Sequence, residues 1–188
     1  MVYFIPNILS NEECEFLSKR FDRIQDKRIH FASAMTLLGY QDGADFHDGL
    51  SYLDIVAFII QQGALVKVDL EQLWRRVVFN ILVSNTDDHL RNHGFILTNN
   101  GWQLSPAYDM NPNEMGSGLT LNISENSNEQ DISLALETAK HYKLKKDEAI
   151  KILNDMQLEI AKWRTVAKKL GMGSSEIEQM KRAFRDLE

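Results

Sequence analysis

Three oxygen-bearing side chains near the middle of the chain could bind a metal ion and activate a hydroxyl group. Asp87 precedes Asn92 by five residues, and Asp109 lies further along the chain. Carboxylate and amide oxygens suit Mg²⁺, which completes its coordination shell with water and phosphate. An additional carboxylate can accept the proton of a substrate hydroxyl. The three residues therefore predict phosphoryl transfer, with Asp87 as the base and Asn92 and Asp109 as metal ligands.

A long amphipathic helix is expected before these residues. Asp69 followed by Gln72 is a capping-box-like pair, which predicts the start of this helix. An uninterrupted stripe of apolar residues follows at helical spacing: Leu70, Leu73, Trp74, Val77, Val78, Ile81 and Leu82. The stripe predicts a face buried in the core, so the polar segment begins where a buried helix ends.

A β-hairpin is expected between Asn92 and Asp109. Asn100-Gly101 stands between two short runs in which apolar residues alternate, and this is a strong signal for a two-residue turn. In that register Leu97 faces Leu104, and Asn92 falls opposite Asp109.

The hairpin is expected to bring two polar loops together. Facing Cα atoms of an antiparallel ladder lie about 4.5 to 5.5 Å apart. The loop of residues 87–92 and the loop of residues 108–110 should therefore meet at one end of the hairpin. Protein kinases have the same order of features along the chain: a catalytic base, a metal-binding Asn, a hairpin and a metal-binding Asp.

The rest of the chain predicts a mainly α (α+β) fold. Residues 1–23 have the pattern of β-structure, with strands around Tyr3 and from Glu15 to Phe21. Helical spacing takes over from about residue 30 and starts with Phe31. A seam of apolar residues predicts one helix over 147–170. We therefore divide the chain into an N-terminal hairpin, 1–23, and a helical part, 24–188.

Composition narrows the class of protein. The chain has 188 residues, of which 44% are hydrophobic and 26% charged, as in a globular domain. A net charge of −6 argues against binding to nucleic-acid backbones, which requires a basic face. One cysteine, Cys14, excludes an internal disulfide framework. The sequence has no membrane-length apolar run and no signal-peptide pattern, so we expect a cytoplasmic protein without membrane contact.

Three segments together resemble the signatures of HipA-like serine/threonine protein kinases. Residues 79–95 (FNILVSNTDDHLRNHGF) resemble the catalytic-loop signature of that family. Residues 104–112 (LSPAYDMNP) are similar to the metal-binding signature that follows it. Residues 19–23 (KRFDR) look like the hinge motif upstream of both. The three segments occur in the family's order and cover roughly residues 16–122.

The resemblance implies a role for each matched residue. Asp87 matches the catalytic aspartate, and Asn92 and Asp109 match the ligands of Mg²⁺–ATP. His89 matches a supporting or nucleotide-contacting position beside the base, and Tyr108 belongs to the same ATP- and metal-binding set. The hinge residues that would pass the adenine are Lys19, Arg20 and Phe21.

The resemblance also implies a fold, a substrate and partners. The expected fold is a protein-kinase-like helical C-lobe, with a short N-terminal hairpin and one β-hairpin at the active site. Members of the family phosphorylate protein Ser or Thr with ATP and Mg²⁺, and several are bacterial toxins paired with a helix-turn-helix antitoxin. A kinase also needs a phosphate-binding loop and a strand lysine. The residues before Lys19 contain neither Gly nor Lys. We therefore expect the C-terminal part of a kinase, inactive by itself.

Two other interpretations stay open. His89 and His93 have the i, i+4 spacing of a zinc-binding pair, which predicts a metal-dependent hydrolase. The helix-borne Glu of the usual His-Glu-x-x-His motif is missing, however. The other interpretation is a non-catalytic interaction module that has kept the helical lobe of a kinase in order to bind a partner.

Overall fold

The computed structural model describes residues 2–3, 17–18 and 20–185 of the chain. Within these ranges helices predominate, as the sequence predicts. The α-helices are α1 (Ala34–Leu38), α2 (Tyr52–Gln62), α3 (Val66–Leu82), α4 (Ile132–Thr138), α5 (Lys146–Ile160), α6 (Trp163–Lys169) and α7 (Ser174–Met180). The strands are β1 (Val2–Tyr3), β2 (Leu17–Ser18), β3 (Arg23–Ile24), β4 (Lys27–Arg28), β5 (Phe31–Ser33), β6 (Gly94–Thr98) and β7 (Gly101–Leu104). Short 3-10 turns lie at Phe46–Asp48, Leu90–Asn92, Ala139–Tyr142 and Lys181–Ala183.

The strands form small antiparallel sheets. β1 pairs with β2, and β3 pairs with β4. The third sheet has the order β5-β6-β7, so the hairpin of the site gains a third strand from the segment before α1. Phe31 therefore lies in a strand and not in the first turn of a helix as predicted, while Phe21 lies in a turn. A mainly helical chain with small antiparallel sheets confirms the predicted fold class.

Helix α3 runs through the centre of the core. Its predicted stripe is confirmed, because Leu70, Leu73 and Trp74 are fully buried along it. Burying each such side chain contributes about 1.5 to 3 kcal/mol. The indole nitrogen of Trp74 also donates a hydrogen bond to the carbonyl of Ala135 in α4 (3.0 Å). Core packing and this hydrogen bond therefore hold α3 in place, and with it the C-terminal end from which the polar segment starts.

The start of α3 differs from the prediction. The helix begins at Val66, so Asp69 lies inside its first turn and does not cap it. The buried Asp69 carboxylate instead accepts a hydrogen bond from the backbone N–H of Leu104 in β7 (3.1 Å). Burial raises the pKa of Asp69, and the hydrogen bond from Leu104 opposes that shift. The residue therefore fixes the end of the hairpin to the helix.

The hairpin register also differs from the prediction. Thr98 pairs with Gly101 and Phe95 with Leu104, so Asn99-Asn100 forms the turn in place of Asn100-Gly101. Gly101 has φ +124°, and a Cβ atom there would lie 2.6 Å from the carbonyl oxygen of Gln62. This glycine therefore permits a close approach of β7 to the end of α2, a contact between elements that a turn motif does not reveal.

Gly101→Ala is expected to destabilise the fold by about 1 to 3 kcal/mol, because the added methyl group collides with the backbone of α2. The matched control is Gly43→Ala. Gly43 has a similar positive φ of +88° but nothing within 4 Å of an added Cβ atom. Urea denaturation of both variants separates the collision from the backbone effect. Equal losses in the two variants would contradict the steric explanation.

Within residues 20–185, no helix has the length and apolar character that are needed to cross a membrane.

Candidate active site

The polar segment after α3 begins with a sharp reversal of the chain. The helix ends at Leu82, and Ser84 adopts a left-handed conformation with φ 52°. The N–H of Asn85 then returns to the carbonyl of Asn80 (2.9 Å), and the side chains of the same two residues bond at 3.0 Å. The end of a rigid helix therefore sets the position of the 87–92 loop.

The 87–92 loop closes on itself. The Nδ2 amide of Asn92 donates a hydrogen bond to the carbonyl of Asp87 (3.1 Å), and the N–H of Asn92 bonds to the carbonyl of His89 (2.9 Å). Asp87 is exposed and Asn92 is buried. The structure thus brings Asp87 and Asn92 together. Because Asn92 donates through its nitrogen, its Oδ1 remains available as a ligand.

The 108–110 loop touches the 87–92 loop through Tyr108. Its hydroxyl donates a hydrogen bond to the carbonyl of Arg91 (2.6 Å), so the two polar loops meet although the hairpin register differs from the prediction. Burial raises the pKa of Tyr108 to about 12, against the charge of Arg76, and this keeps the hydroxyl protonated as a donor. The hydroxyl of Tyr108 is therefore engaged within the protein, and its ring is the part left for a ligand.

Tyr108→Phe is expected to lower the free energy of unfolding by about 1 kcal/mol, the usual net value of one hydrogen bond. The matched control is Tyr142→Phe. The buried hydroxyl of Tyr142 has no hydrogen-bond partner among the described residues, so its removal should be neutral or stabilising. Urea denaturation checks both variants. A Tyr108→Phe variant as stable as the wild type would contradict the link between the loops.

Asp109 adopts an unusual backbone conformation in the same loop. Its φ is 56°, in the left-handed region, and its side chain is exposed. One carboxylate oxygen accepts a hydrogen bond from the side chain of Asn111 (2.9 Å). The other oxygen can serve as a ligand. The backbone conformation aims this carboxylate differently from a residue in an extended strand, and Asn and Asp tolerate it better than most residues.

The predicted hinge reaches the site through an aromatic cluster. The ring centroids of Phe21 and Tyr108 lie 5.8 Å apart, and Phe31 lies 5.7 Å from Phe21. Lys19 lies outside the described residues. Arg20 forms a two-bond ion pair with Asp22, at 2.7 Å each, and this pair lowers the pKa of Asp22. Of the predicted hinge residues, Phe21 is therefore the one whose side chain contacts the 108–110 loop, while the guanidinium of Arg20 is paired with Asp22.

A buried polar network lies beneath the 87–92 loop. One oxygen of the Asp88 carboxylate contacts the hydroxyl of Tyr52 (2.7 Å), Nδ2 of Asn80 (2.5 Å) and Nε2 of His93 (2.9 Å). Burial raises the pKa of Asp88. The charge and hydrogen bond of His93 and the hydroxyl of Tyr52, together with Arg76, outweigh burial and hold that pKa below its ordinary value. The sequence pattern does not reveal this network, although Asp88 and His93 directly follow Asp87 and Asn92.

The segment of residues 113–116 covers the start of the 87–92 loop. Asn113 donates hydrogen bonds to the carbonyl of Ser84 (3.2 Å) and to the hydroxyl of Thr86 (2.8 Å). Gly116 approaches Thr86 so closely that a Cβ atom would lie 2.2 Å from its hydroxyl oxygen. The segment after Asp109 therefore packs against the residue that precedes Asp87.

The geometry does not support a zinc site at His89 and His93. The two residues flank the 3-10 turn Leu90–Asn92 and do not lie on one α-helix. His93 is 1% exposed and its Nε2 already contacts Asp88. In the part of the chain that the structure describes, no group of three His, Cys, Asp or Glu side chains could hold a metal. The side-chain oxygens of Asn92 and Asp109 are hard donors, the type of ligand that Mg²⁺ prefers.

Comparison with known proteins identifies the family. The HipA-like C-terminal domain matches residues 6–164. A Haemophilus influenzae protein named "Putative kinase" is 33% identical over 107 residues, which are 53% of this chain and 31% of that protein. The chain therefore spans about a third of the length of this curated relative.

A solved structure has the same fold. It is the HipA, HipB and operator DNA complex of the Shewanella oneidensis MR-1 toxin–antitoxin system. The TM-score is 0.68 at 18% identity, over 90% of this chain and 46% of the matched chain. This similarity concerns the fold, whereas the match over residues 6–164 concerns the sequence itself. The chain belongs to the HipA-like C-terminal domain family, and its sequence is related to that of the protein named "Putative kinase".

Proposed function

We propose that the chain is the catalytic-loop half of a HipA-like serine/threonine protein kinase, which transfers the γ-phosphate of ATP to a protein hydroxyl group. The pair of contacts made by Tyr108 carries this proposal. Its hydroxyl bonds to the carbonyl of Arg91, and its ring contacts Phe21. Through this one residue, the predicted hinge, the predicted base loop and the predicted metal loop come together.

In this proposal Asp87 is the base. It is exposed, so the hydroxyl of a substrate protein can reach it. The hydroxyl oxygen bonds to the γ-phosphorus, the bond to the β–γ bridging oxygen breaks, and ADP leaves. The proton of the hydroxyl passes to Asp87. A carboxylate in this position orients the nucleophile and removes its proton as the charge develops.

Asn92 and Asp109 are the proposed metal ligands. The hydrogen bonds described above engage Nδ2 of Asn92 and one carboxylate oxygen of Asp109. They leave Oδ1 of Asn92 and the other oxygen of Asp109 without a partner among the described residues. A bound Mg²⁺ supplies positive charge that neutralises the ATP phosphates. His89 is half-buried in the 87–92 loop, and its Nδ1 lacks a protein partner in the described structure. We propose that His89 supports the phosphate end of the nucleotide.

The adenine is proposed to pack near the aromatic cluster. Phe21 and Tyr108 are each half-buried, so part of each ring is open to a ligand. The guanidinium of Arg20 is paired with Asp22, so Arg20 would contribute through its backbone. In the predicted division, residues 1–23 lie on the hinge side of the nucleotide.

The proposed partners follow the family. The substrate is a protein that presents a Ser or Thr hydroxyl. The matched Shewanella HipA forms a complex with HipB and operator DNA. By analogy we propose a helix-turn-helix antitoxin as a partner of this chain. No direct contact of this chain with DNA is proposed, because its net charge is −6.

Calorimetric titration of the chain with ATP tests the proposal, with and without Mg²⁺. We expect binding that strengthens on addition of Mg²⁺, because the metal joins the phosphates to Asn92 and Asp109. Absence of binding under both conditions would favour the non-catalytic interaction module. Stoichiometric zinc in the purified protein would instead revive the hydrolase interpretation.

A further inference from the structure

We propose that Asp88 and His93 are positioning residues that fix the predicted base, Asp87, relative to the predicted metal ligand, Asn92. This inference rests on the function proposed above and adds to it. Neither residue faces the exposed site, since their side chains are 3% and 1% exposed. They act from beneath the loop.

Two links of equal sequence spacing close the loop. The outer link joins Nδ2 of Asn92 to the carbonyl of Asp87 at 3.1 Å. The inner link joins Nε2 of His93 to Oδ2 of Asp88 at 2.9 Å. Asp87 and Asp88 are neighbours, and so are Asn92 and His93. The inner link therefore holds the same two points of the backbone as the outer link, but in the protein interior.

The inner link is anchored to rigid elements. The Asp88 oxygen that contacts His93 also accepts hydrogen bonds from Tyr52 in α2 (2.7 Å) and Asn80 in α3 (2.5 Å). The carbonyl of His93 accepts a hydrogen bond from the N–H of Ala34 in α1 (2.7 Å). Three helices thus fix the two ends of the loop. Side chains that perform chemistry are held most precisely when such a supporting set is itself fixed.

The consequence is a defined separation between the base and the metal ligand. A displacement of about 1 Å in a reacting group can cost roughly 100-fold in rate. If the inner link is lost, only the outer link, the hydrogen bond between Asn92 and Asp87, still connects the two ends of the loop. That bond involves a backbone carbonyl on a surface loop and is open to competition by water. We therefore expect a variant without the inner link to lose more kcat than a variant that is equally destabilised but keeps this link.

The test compares two substitutions of His93 whose side chains differ in length, so that their amide groups lie at different positions. His93→Gln places an amide nitrogen near the position of Nε2, which is the atom that contacts Asp88. His93→Asn places its amide near the position of Nδ1, which has no partner among the described residues. In a preparation competent for phosphoryl transfer, His93→Asn should lower kcat by about 10- to 100-fold. His93→Gln should restore kcat to within about threefold of the wild type.

Tyr52→Phe is the matched control. It removes one hydrogen bond to the same Asp88 oxygen but leaves the link to His93 intact. Asn80 in α3 still holds the same Asp88 oxygen in this variant, so the link to His93 stays anchored. We therefore expect Tyr52→Phe to lower the melting temperature about as much as His93→Asn does, with kcat within about threefold of the wild type. Equal kcat in the Gln and Asn variants would overturn the proposal. So would losses of kcat that simply follow the melting temperature across all three variants.

Amide hydrogen exchange keeps this test separate from the proposed function. In the chain without nucleotide, His93→Asn should speed exchange at His89 and Asn92, whose N–H groups close the loop. Tyr52→Phe should not speed exchange there. Unchanged exchange in His93→Asn would overturn the positioning role even if the wild type transfers phosphate. A wild type without transfer but with the expected exchange would instead refute the kinase proposal alone. If His93→Asn does not fold, kcat and amide hydrogen exchange are measured on Asp88→Asn in its place.

Discussion

In a preparation that is competent for phosphoryl transfer, Asp87→Asn is expected to abolish that transfer while nucleotide binding is retained. The amide cannot accept the proton of the attacking hydroxyl, and a positioned base contributes about 10²- to 10⁴-fold to a rate. Asp87 holds Asn92 through its backbone carbonyl, which the substitution leaves in place. The Asp87 side chain is exposed, so the change should cost little stability. Rates with labelled ATP and a protein substrate, together with calorimetric ATP affinity, measure the two effects separately.

The control for this variant is Asp155→Asn, which makes the same chemical change at an exposed position in α5. We expect Asp155→Asn to transfer phosphate at the wild-type rate. Retained turnover in Asp87→Asn would refute the assignment of the base. Parallel loss of ATP affinity would instead mean that Asp87 binds the nucleotide or its metal.

Asp109→Ala is expected to weaken Mg²⁺-dependent ATP binding by at least about tenfold, because loss of even an outer-shell partner of a metal site typically costs about 10- to 100-fold in affinity. Binding measured without Mg²⁺ should change much less. Alanine also fits poorly at this position, since Asp109 has φ 56° and a left-handed alanine costs about 1 to 2 kcal/mol. The affinity change alone would therefore combine two causes.

Asp109→Asn separates these causes. Asparagine tolerates the left-handed conformation, and its side-chain oxygen can still accept the hydrogen bond from Asn111. Only the charge is lost. We expect Asp109→Asn to lose most of the Mg²⁺-dependent affinity that Asp109→Ala loses, while keeping wild-type stability. Wild-type affinity in both variants would count against a metal role for this residue.

Local patterns in the sequence predict those features that depend on neighbours along the chain. The stripe on α3 is confirmed because a core-facing helix needs apolar residues at a fixed spacing. Ser51 and Asp54, three residues apart, form a capping box at the start of α2, an arrangement that depends only on neighbours along the chain. The left-handed Gly39 ends α1 for the same kind of local reason.

The sequence is a weaker guide wherever a residue serves a contact between elements. Asp69 has the sequence context of a helix cap but bonds to β7, and Gly101 has the context of a turn but accommodates the backbone of α2. The helix predicted over 147–170 is interrupted between Ile160 and Trp163. Its apolar spacing continues across the break, which is why the periodicity does not reveal it.

The site shows the same division. The order of polar residues predicts that two loops meet, and the contact between Tyr108 and Arg91 brings them together in a register that differs from the predicted one. The buried network around Asp88 depends on Tyr52 and Asn80, which lie on separate helices. No short motif contains that information, since it arises only when α2 and α3 pack against each other.

Paramagnetic broadening by Mn²⁺ tests most directly whether the two loops share one metal site. Amide resonances of the chain would be recorded with ATP and a small amount of Mn²⁺ in place of Mg²⁺. We predict that the signals of residues 87–92 and of residues 108–111 broaden together, before those of α5 and α6. Broadening of one loop without the other, or of a remote acidic surface first, would contradict a common metal site.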